Sequence, residues 1–180
     1  MLPFYTIGHS ARSIEEFVAL LQAAEVTLVV DIRTIAKSRT NPQYNEDVLP
    51  GHLAPFKIEY VRIEELGGLR SKSKEVEPVL NGFWNNQSFH NYADYALTQP
   101  FLDGLAQLIQ LGRQQRCAVM CSEAVWWRCH RRIVADHLLA RDESVFHLMG
   151  KDKIDPAQLT EGAKIEAKTV VVYPAKKLEE

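Results

Sequence analysis

Residues 4–30 carry the pattern that most restricts the fold. Phe4-Tyr5-Thr6-Ile7 is a short β-type run stopped by Gly8, and Val26-Thr27-Leu28-Val29-Val30 is a continuous, β-branched-rich apolar run. Successive side chains of a strand point to opposite faces, so an uninterrupted apolar run belongs in a strand buried on both. Between the two runs, Ile14, Phe17, Val18, Leu21 and Ala24 recur at helical spacing, which predicts a helix over 14–24. Ser13-Ile14-Glu15-Glu16 supplies its start, a hydroxyl followed by the carboxylate of a capping box. Strand, helix and strand within about thirty residues make a βαβ unit, hence parallel pairing and a right-handed crossover.

The rest of the chain repeats the alternation. Residues 33–57 are polar and punctuated by Pro42, Pro50, Gly51 and Pro55, with a short helix expected near 44–49. Glu59 to Ile63 alternates like a third strand, and Gly67-Gly68 leads into a basic loop, Leu69-Arg70-Ser71-Lys72-Ser73-Lys74. A helix is expected over 89–97. Another begins at Pro100, with Phe101, Leu102, Leu105, Leu108 and Ile109 as its stripe and Gly112 as its stop. Arg116 to Cys121 is the next buried strand, 129–141 the next helix, Val145 to Leu148 a last main strand, and Thr169 to Tyr173 an edge strand. The expected architecture is a single α/β domain over 1–180, a mostly parallel open sheet with helices on both faces. Residues 155–180 read as a C-terminal extension or edge strand.

Composition narrows the functional classes. A chain of 180 residues suffices for one substantial core, and its formal charge of −2 argues against coating nucleic acid or membrane by bulk charge. The first residues, MLPFYTIGHS, lack a basic n-region and a long apolar run, so no signal peptide or membrane anchor is expected. The three cysteines all lie between 117 and 129, which is no secreted disulfide framework. The expected location is therefore cytoplasmic.

Ligands of open parallel sheets bind outside the carboxyl ends of the strands. Here those ends lead into His9-Ser10, Asp31-Ile32-Arg33 and Cys121-Ser122-Glu123. Strand order alone thus brings His9, Asp31, Arg33, Cys121 and Glu123 to one rim. Each also has a plainer reading. Ser13 reads as a helix cap, and Asp31 with Arg33 as a local ion pair. Cys117 reads as a small buried hydrophobe, and Arg132 with Asp136 as a solvated helical pair. His137 reads as a satisfied, half-buried histidine, and Tyr92 and Tyr95 as packing.

The stretch CSEAVWWRCHRR, residues 121–132, admits three readings. Cys121, Cys129 and His130, with His9, are legitimate zinc ligand types, although seven residues separate the two cysteines and the usual knuckle is shorter. A strand, a loop and a helix start also make an anion cradle, which Arg128 and Arg131 would strengthen. Six residues separate Cys121 from Arg128, one more than in a thiol-phosphatase loop, so that chemistry is set aside. Thirdly, Cys121 or Glu123 could act as nucleophile or acid–base group, with a reversible Cys121–Cys129 disulfide as a further option.

Several blocks then carry a resemblance: TIGHS (6–10), VVDIR (29–33), SRTNPQYN (38–45), LGG (66–68), YADYALT (92–98), VMCSEAVWWRCHRRIVADHL (119–138) and VFHLMG (145–150). With these the sequence resembles the domain-of-unknown-function family numbered 488. The resemblance implies an α/β fold and no particular activity. The motif positions it picks out are His9, Ser10, Asp31, Arg33, Ser38, Arg39, Gly67, Gly68, Tyr92, Ala93, Cys121, Glu123, Cys129, His130, Arg131 and His147. Two departures stand out. Ala36 replaces a usual proline, and Pro156-Ala157 replaces a common Pro-His pair.

The expected function is an enzyme whose pocket, at the carboxyl rim, takes an anionic, phosphate-bearing substrate, a nucleotide or nucleic-acid fragment being the favoured class. Arg33, Arg39, Arg128 and Arg131 would hold the anion, with Ser10, Cys129 and His130 beside them. Glu123 and Asp31 would serve as acid or base, with His9 assisting. Cys121 would be a nucleophile or a wall, and Trp126 and Trp127 a stacking platform. The alternatives are a non-catalytic nucleotide or nucleic-acid sensor and a cysteine–histidine zinc protein. No cofactor is required by the residues.

Overall fold

The computed structural model describes residues 1–177. The two apolar runs form parallel strands, but the strand Cys117–Cys121 lies between them, so they do not pair directly with each other as the βαβ reading expects. Strands β1 (Phe4–Gly8) and β2 (Leu28–Asp31) flank helix α1 (Ile14–Ala23), and both strands are buried along their whole length. Ser13 caps α1, its Oγ accepting from Glu16 N at 3.2 Å. Helix α2 is only Leu49–Leu53, preceded by a 3₁₀ turn at Pro42–Tyr44, so the helix expected near 44–49 is split. Pro50 sits in the first turn of α2, where its missing N–H costs nothing. Strand β3 (Glu59–Arg62) leads through the glycine pair to α3 (Gln87–Tyr95) and α4 (Gln99–Gln114). β4 (Cys117–Cys121), α5 (Arg131–Leu139) and β5 (Val145–Gly150) follow.

Helix α4 does not stop at Gly112 as its composition suggests. A Cβ there would overlap the Phe4 ring of β1, so the glycine lets helix and sheet approach instead of ending the helix. Among the described residues the main sheet runs β3-β2-β4-β1-β5-β6, where β6 is Lys153–Pro156. The first five strands are parallel, and β6 pairs antiparallel to β5. The 169–173 segment belongs elsewhere: β7 (Lys164–Ile165) and β8 (Val171–Val172) form a separate ribbon. Of the 155–180 extension, its last three residues lie outside the described region.

Side-chain alternation sends Leu28, Val30, Cys117 and Val119 into a core with α3, α4 and α5. Val29, Ala118 and Met120 enter the opposite core with α1 and α2. Helices therefore cover both faces. The connection leaving β2 turns to one face and that leaving β4 to the other, so a crevice opens between the carboxyl ends of these two neighbours, as at any such switch point. Two plainer readings need correction. Asp136 is buried and accepts from Thr160 N (2.9 Å) and Tyr173 Oη (2.7 Å), while Arg132 donates to Thr160 Oγ1. They are not a solvated pair. His137 is fully buried, with neither ring nitrogen hydrogen-bonded among the described residues, and burial pulls it down to about 3. Tyr92 does pack, but its hydroxyl also donates to Leu66 O at 2.8 Å and so fixes the glycine pair. No helix among the described residues is long and apolar enough to cross a membrane.

Candidate functional site

At the crevice lies a cavity of about 460 Å³, lined from β2 by Arg33, Thr34 and Ile35 and from β4 by Cys121, Ser122 and Glu123. Arg128, Cys129 and His130 add the approach to α5, Gly68 and Leu69 the glycine turn, and Asn86, Ser88 and Phe89 the start of α3. Two strand ends and three loops thus meet at one place.

The β2 corner is closed on itself. Asp31 Oδ1 accepts from Arg33 N (3.0 Å) and Arg33 Nε (2.9 Å), and Oδ2 accepts from Arg33 Nη2 (2.7 Å) and Tyr60 Oη (2.5 Å). The guanidinium also donates to Tyr44 O at 2.7 Å. His9 Nδ1 must donate to Ser10 O at 2.8 Å, because a carbonyl only accepts; Nε2 is left to accept from Arg33 Nη1 at 3.3 Å. The His9 ring stacks on Tyr44 at 4.3 Å, and burial lowers its affinity for a proton. Asp31 and His9 have no vacant atom turned to a ligand. The local ion pair is what the structure displays, and only Arg33 of this corner lines the cavity.

The β4 corner is built differently. His9 N donates to Cys121 O and Ser10 N to Ser122 O, both at 2.9 Å, so β1 and the chain leaving β4 stay laced past the strand ends. This brings the Glu123 carbonyl onto Gly8, where any Cβ would overlap it; Gly8 is there for that approach. Behind the turn stands Arg131, 0% exposed. Its Nη1 donates to Glu123 O (2.6 Å) and contacts Cys121 Sγ (2.7 Å), Nη2 donates to Ala124 O (3.1 Å), and Nε to Thr6 Oγ1 (3.2 Å). Burial pulls this guanidinium down to about 10. Arg131 therefore brackets the turn from inside and does not reach a substrate. Thr6 Oγ1 is hydrogen-bonded to His147 Nδ1 at 2.6 Å, and His147 stacks on Trp126 at 4.8 Å.

The two sulfurs of Cys121 and Cys129 meet as a disulfide across this turn. Arg131 N donates to Cys129 Sγ at 3.4 Å, so the sulfur occupies the start of α5 where an anion cradle was expected. His130 Nε2 donates to Ile32 O at 2.9 Å, which turns Nδ1 toward Cys129 Sγ at 3.5 Å. Gly68 closes over this ring; a Cβ there would lie 2.5 Å from Nδ1. Burial pushes His130 down to about 4. Glu123, by contrast, is exposed, and its carboxylate has no hydrogen bond or ion pair among the described residues. Arg128 is likewise exposed on the cavity wall.

Of the residues singled out from sequence, Arg33, Cys121, Glu123, Arg128, Cys129 and His130 share the cavity. Arg39 is exposed and outside it, Ser10 gives its backbone N–H to Ser122 O and does not line the cavity, and Trp126 and Trp127 stand edge-to-face beyond it with Arg132 over Trp126. The indoles thus form no platform at this mouth. Thr34, Ile35, Leu69, Asn86, Ser88 and Phe89 escaped notice, because loop residues without charge carry no sequence signal. Only the Asn86 cap, which accepts from Ser88 N and Phe89 N, was readable in principle. Among the described residues no three histidine, cysteine or carboxylate side chains stand together as a metal-binding group, so the zinc reading lacks its ligand set.

A family model described as "Domain of unknown function DUF488" matches residues 13–138. No curated protein and no solved structure matches the chain.

Proposed function

The chain belongs to the DUF488 family, and from that premise and the geometry we propose that the rim cavity is the active site of an enzyme acting on a small anionic substrate, a phosphate-bearing, nucleotide-like molecule being the favoured class. The observation that carries the reading is Glu123, an unpartnered carboxylate on the wall of a cavity that also presents Arg33 and Arg128. Guanidinium groups recognise phosphate and carboxylate through paired N–H donors. Arg33 is held rigid by Asp31, Tyr44 and His9, and the one Nη1 N–H those partners leave over is what it can offer an anion, at little entropic cost. Arg128 is free to close over a bound anion.

Glu123 is the acid–base group. It sits on a turn whose backbone is clamped by Gly8, Ser10 and Arg131, so a mobile side chain rides on a fixed base. At the mouth, Ile35 and Leu69 are exposed apolar side chains, and Phe89 rests one face on Trp84 at 4.9 Å. A substrate with its charge inward and a planar, less polar part outward fits such a lining.

The test is a thermal-shift panel of nucleotides, nucleosides and sugar phosphates, followed by turnover assays on whatever stabilises the fold. Glu123→Gln is expected to abolish turnover and keep affinity within about threefold, while Arg33→Lys weakens binding by about tenfold or more. Full turnover by Glu123→Gln removes the catalytic assignment. Binding without turnover on any ligand of the panel leaves a sensor module.

A further inference from the structure

The three cysteines occupy unlike surroundings. Cys117 lies inside β4 among apolar side chains, and burial pushes its thiol up to about 12, an inert state. Cys121 and Cys129 line the cavity and touch each other. Arg131 serves both: its guanidinium contacts Cys121 Sγ at 2.7 Å, and its backbone N–H points at Cys129 Sγ. A fully buried guanidinium calls for a compensating negative charge, yet among the described residues Arg131 forms no ion pair with a carboxylate. Carbonyl dipoles, and the Glu123 carboxylate acting without direct contact, supply part of that charge. When the pair is reduced, the sulfur of Cys121 as a thiolate supplies the rest. Each thiol has an acceptor within reach, Glu123 O at 3.8 Å from Cys121 and His130 Nδ1 at 3.5 Å from Cys129, and Cys121 is the one of the two that a guanidinium touches.

We infer that Cys121 and Cys129 are a redox couple, a dithiol that exchanges with small carboxylate-bearing disulfides admitted to the cavity. This goes beyond the acid–base reading, since it uses neither Glu123 as acid or base nor a phosphate. The Cys121 thiolate attacks one sulfur of the substrate R–S–S–R. A Cys121–S–S–R bond forms, the substrate S–S bond breaks, and R–S⁻ leaves. Cys129 then loses its proton to solvent and attacks Cys121 Sγ. The Cys121–Cys129 disulfide forms, and the second R–S⁻ leaves and takes a proton from solvent. The protein loses two electrons and the substrate gains them. Arg33 and Arg128 on the wall select carboxylates.

Glutathione is the probe. The reduced, full-length protein is equilibrated across ratios of glutathione to its disulfide, quenched by alkylation and read by peptide mass. Expected are reversible formation of the Cys121–Cys129 disulfide, a reduced Cys117 throughout, and a trapped glutathione adduct on Cys121 in Cys129→Ser. In Cys121→Ser, Cys129 is expected to acquire its adduct about tenfold or more slowly. Wild-type protein that forms the disulfide reversibly yet turns over nothing on the nucleotide and sugar-phosphate panel keeps this couple and removes the proposed enzyme, and the reverse result does the opposite. The inference is overturned by a pair that stays dithiol, or stays disulfide, at every ratio. Equal rates in the two serine variants overturn it too.

Discussion

The ends of β2 and β4 are neighbours on one rim, and both set a carboxylate near a guanidinium, yet they are built to opposite ends. At β2 the aspartate and arginine are two residues apart at the close of a buried strand, so the guanidinium folds back and takes both carboxylate oxygens. At β4 the nearest arginine to Glu123 in space, Arg131, is spent on carbonyl oxygens and a sulfur, and the carboxylate is left to solvent and ligand. A charged pair that can satisfy itself becomes architecture. Chemistry is left to the group whose neighbouring cation is already engaged.

The largest effect expected from this contrast is at Asp31. Asp31→Asn turns an amide N–H₂ against the guanidinium and leaves a buried charge unpaired, a loss of about 4 kcal/mol in urea unfolding. A loss below about 1 kcal/mol would mean the corner is not a brace.

Next comes acidification, which loads the histidines that join the two corners. His130 and His147 are each held down to about 4, mainly by burial, below their ordinary 6.5. The unfolded chain therefore takes up protons that the folded chain refuses as pH falls through 6.5. With His137, held down to about 3, stability is lost between 6.5 and about 3, at up to about 1.4 kcal/mol per pH unit for each of the three rings, and is flat above that window. Urea midpoints measured down this range check it; a flat profile would show that none of the three rings is held neutral.

How much of this contrast could be read beforehand follows from what each corner is made of. The strands and the rim were legible, because a doubly buried strand leaves an unbroken apolar run and strand ends follow from order. Glu123 and Cys121 came with the rim. Which charges were free did not, since Asp31, Arg33 and Arg131 look as reactive on paper as Glu123. Only the packing of Tyr60, Tyr44 and the carbonyl oxygens of 123 and 124, distant in sequence, engages them. The far wall was invisible for the same reason, as Phe89 and Asn86 meet Cys121 only through the fold.

Smaller effects sharpen the contrast. Gly68→Ala should push the turn off His130 and cost about 2 kcal/mol, loosening the cavity wall without altering its charge; a stability within error would show that the turn yields freely. Tyr60→Phe removes a single donor to Asp31, about 1 kcal/mol by the same urea measurement. Glu123→Gln, on the open corner, should change stability by no more than about 0.5 kcal/mol. A cost comparable to that of Asp31→Asn would erase the distinction between the corners.

The order of the sheet has a consequence for how the chain is made. β1, the earliest of these strands to be synthesised, pairs among the described residues with β4 and β5 alone, whereas β2 and β3 can pair with each other early. A nascent chain that ends before Cys117 therefore holds an apolar strand with both edges bare, the kind of surface that recruits other strands. Synthesis of β4 covers one of those edges and, in the same step, brings Cys121 and Glu123 beside Arg33; the other edge waits for β5. The site is therefore assembled before the sheet around it is closed.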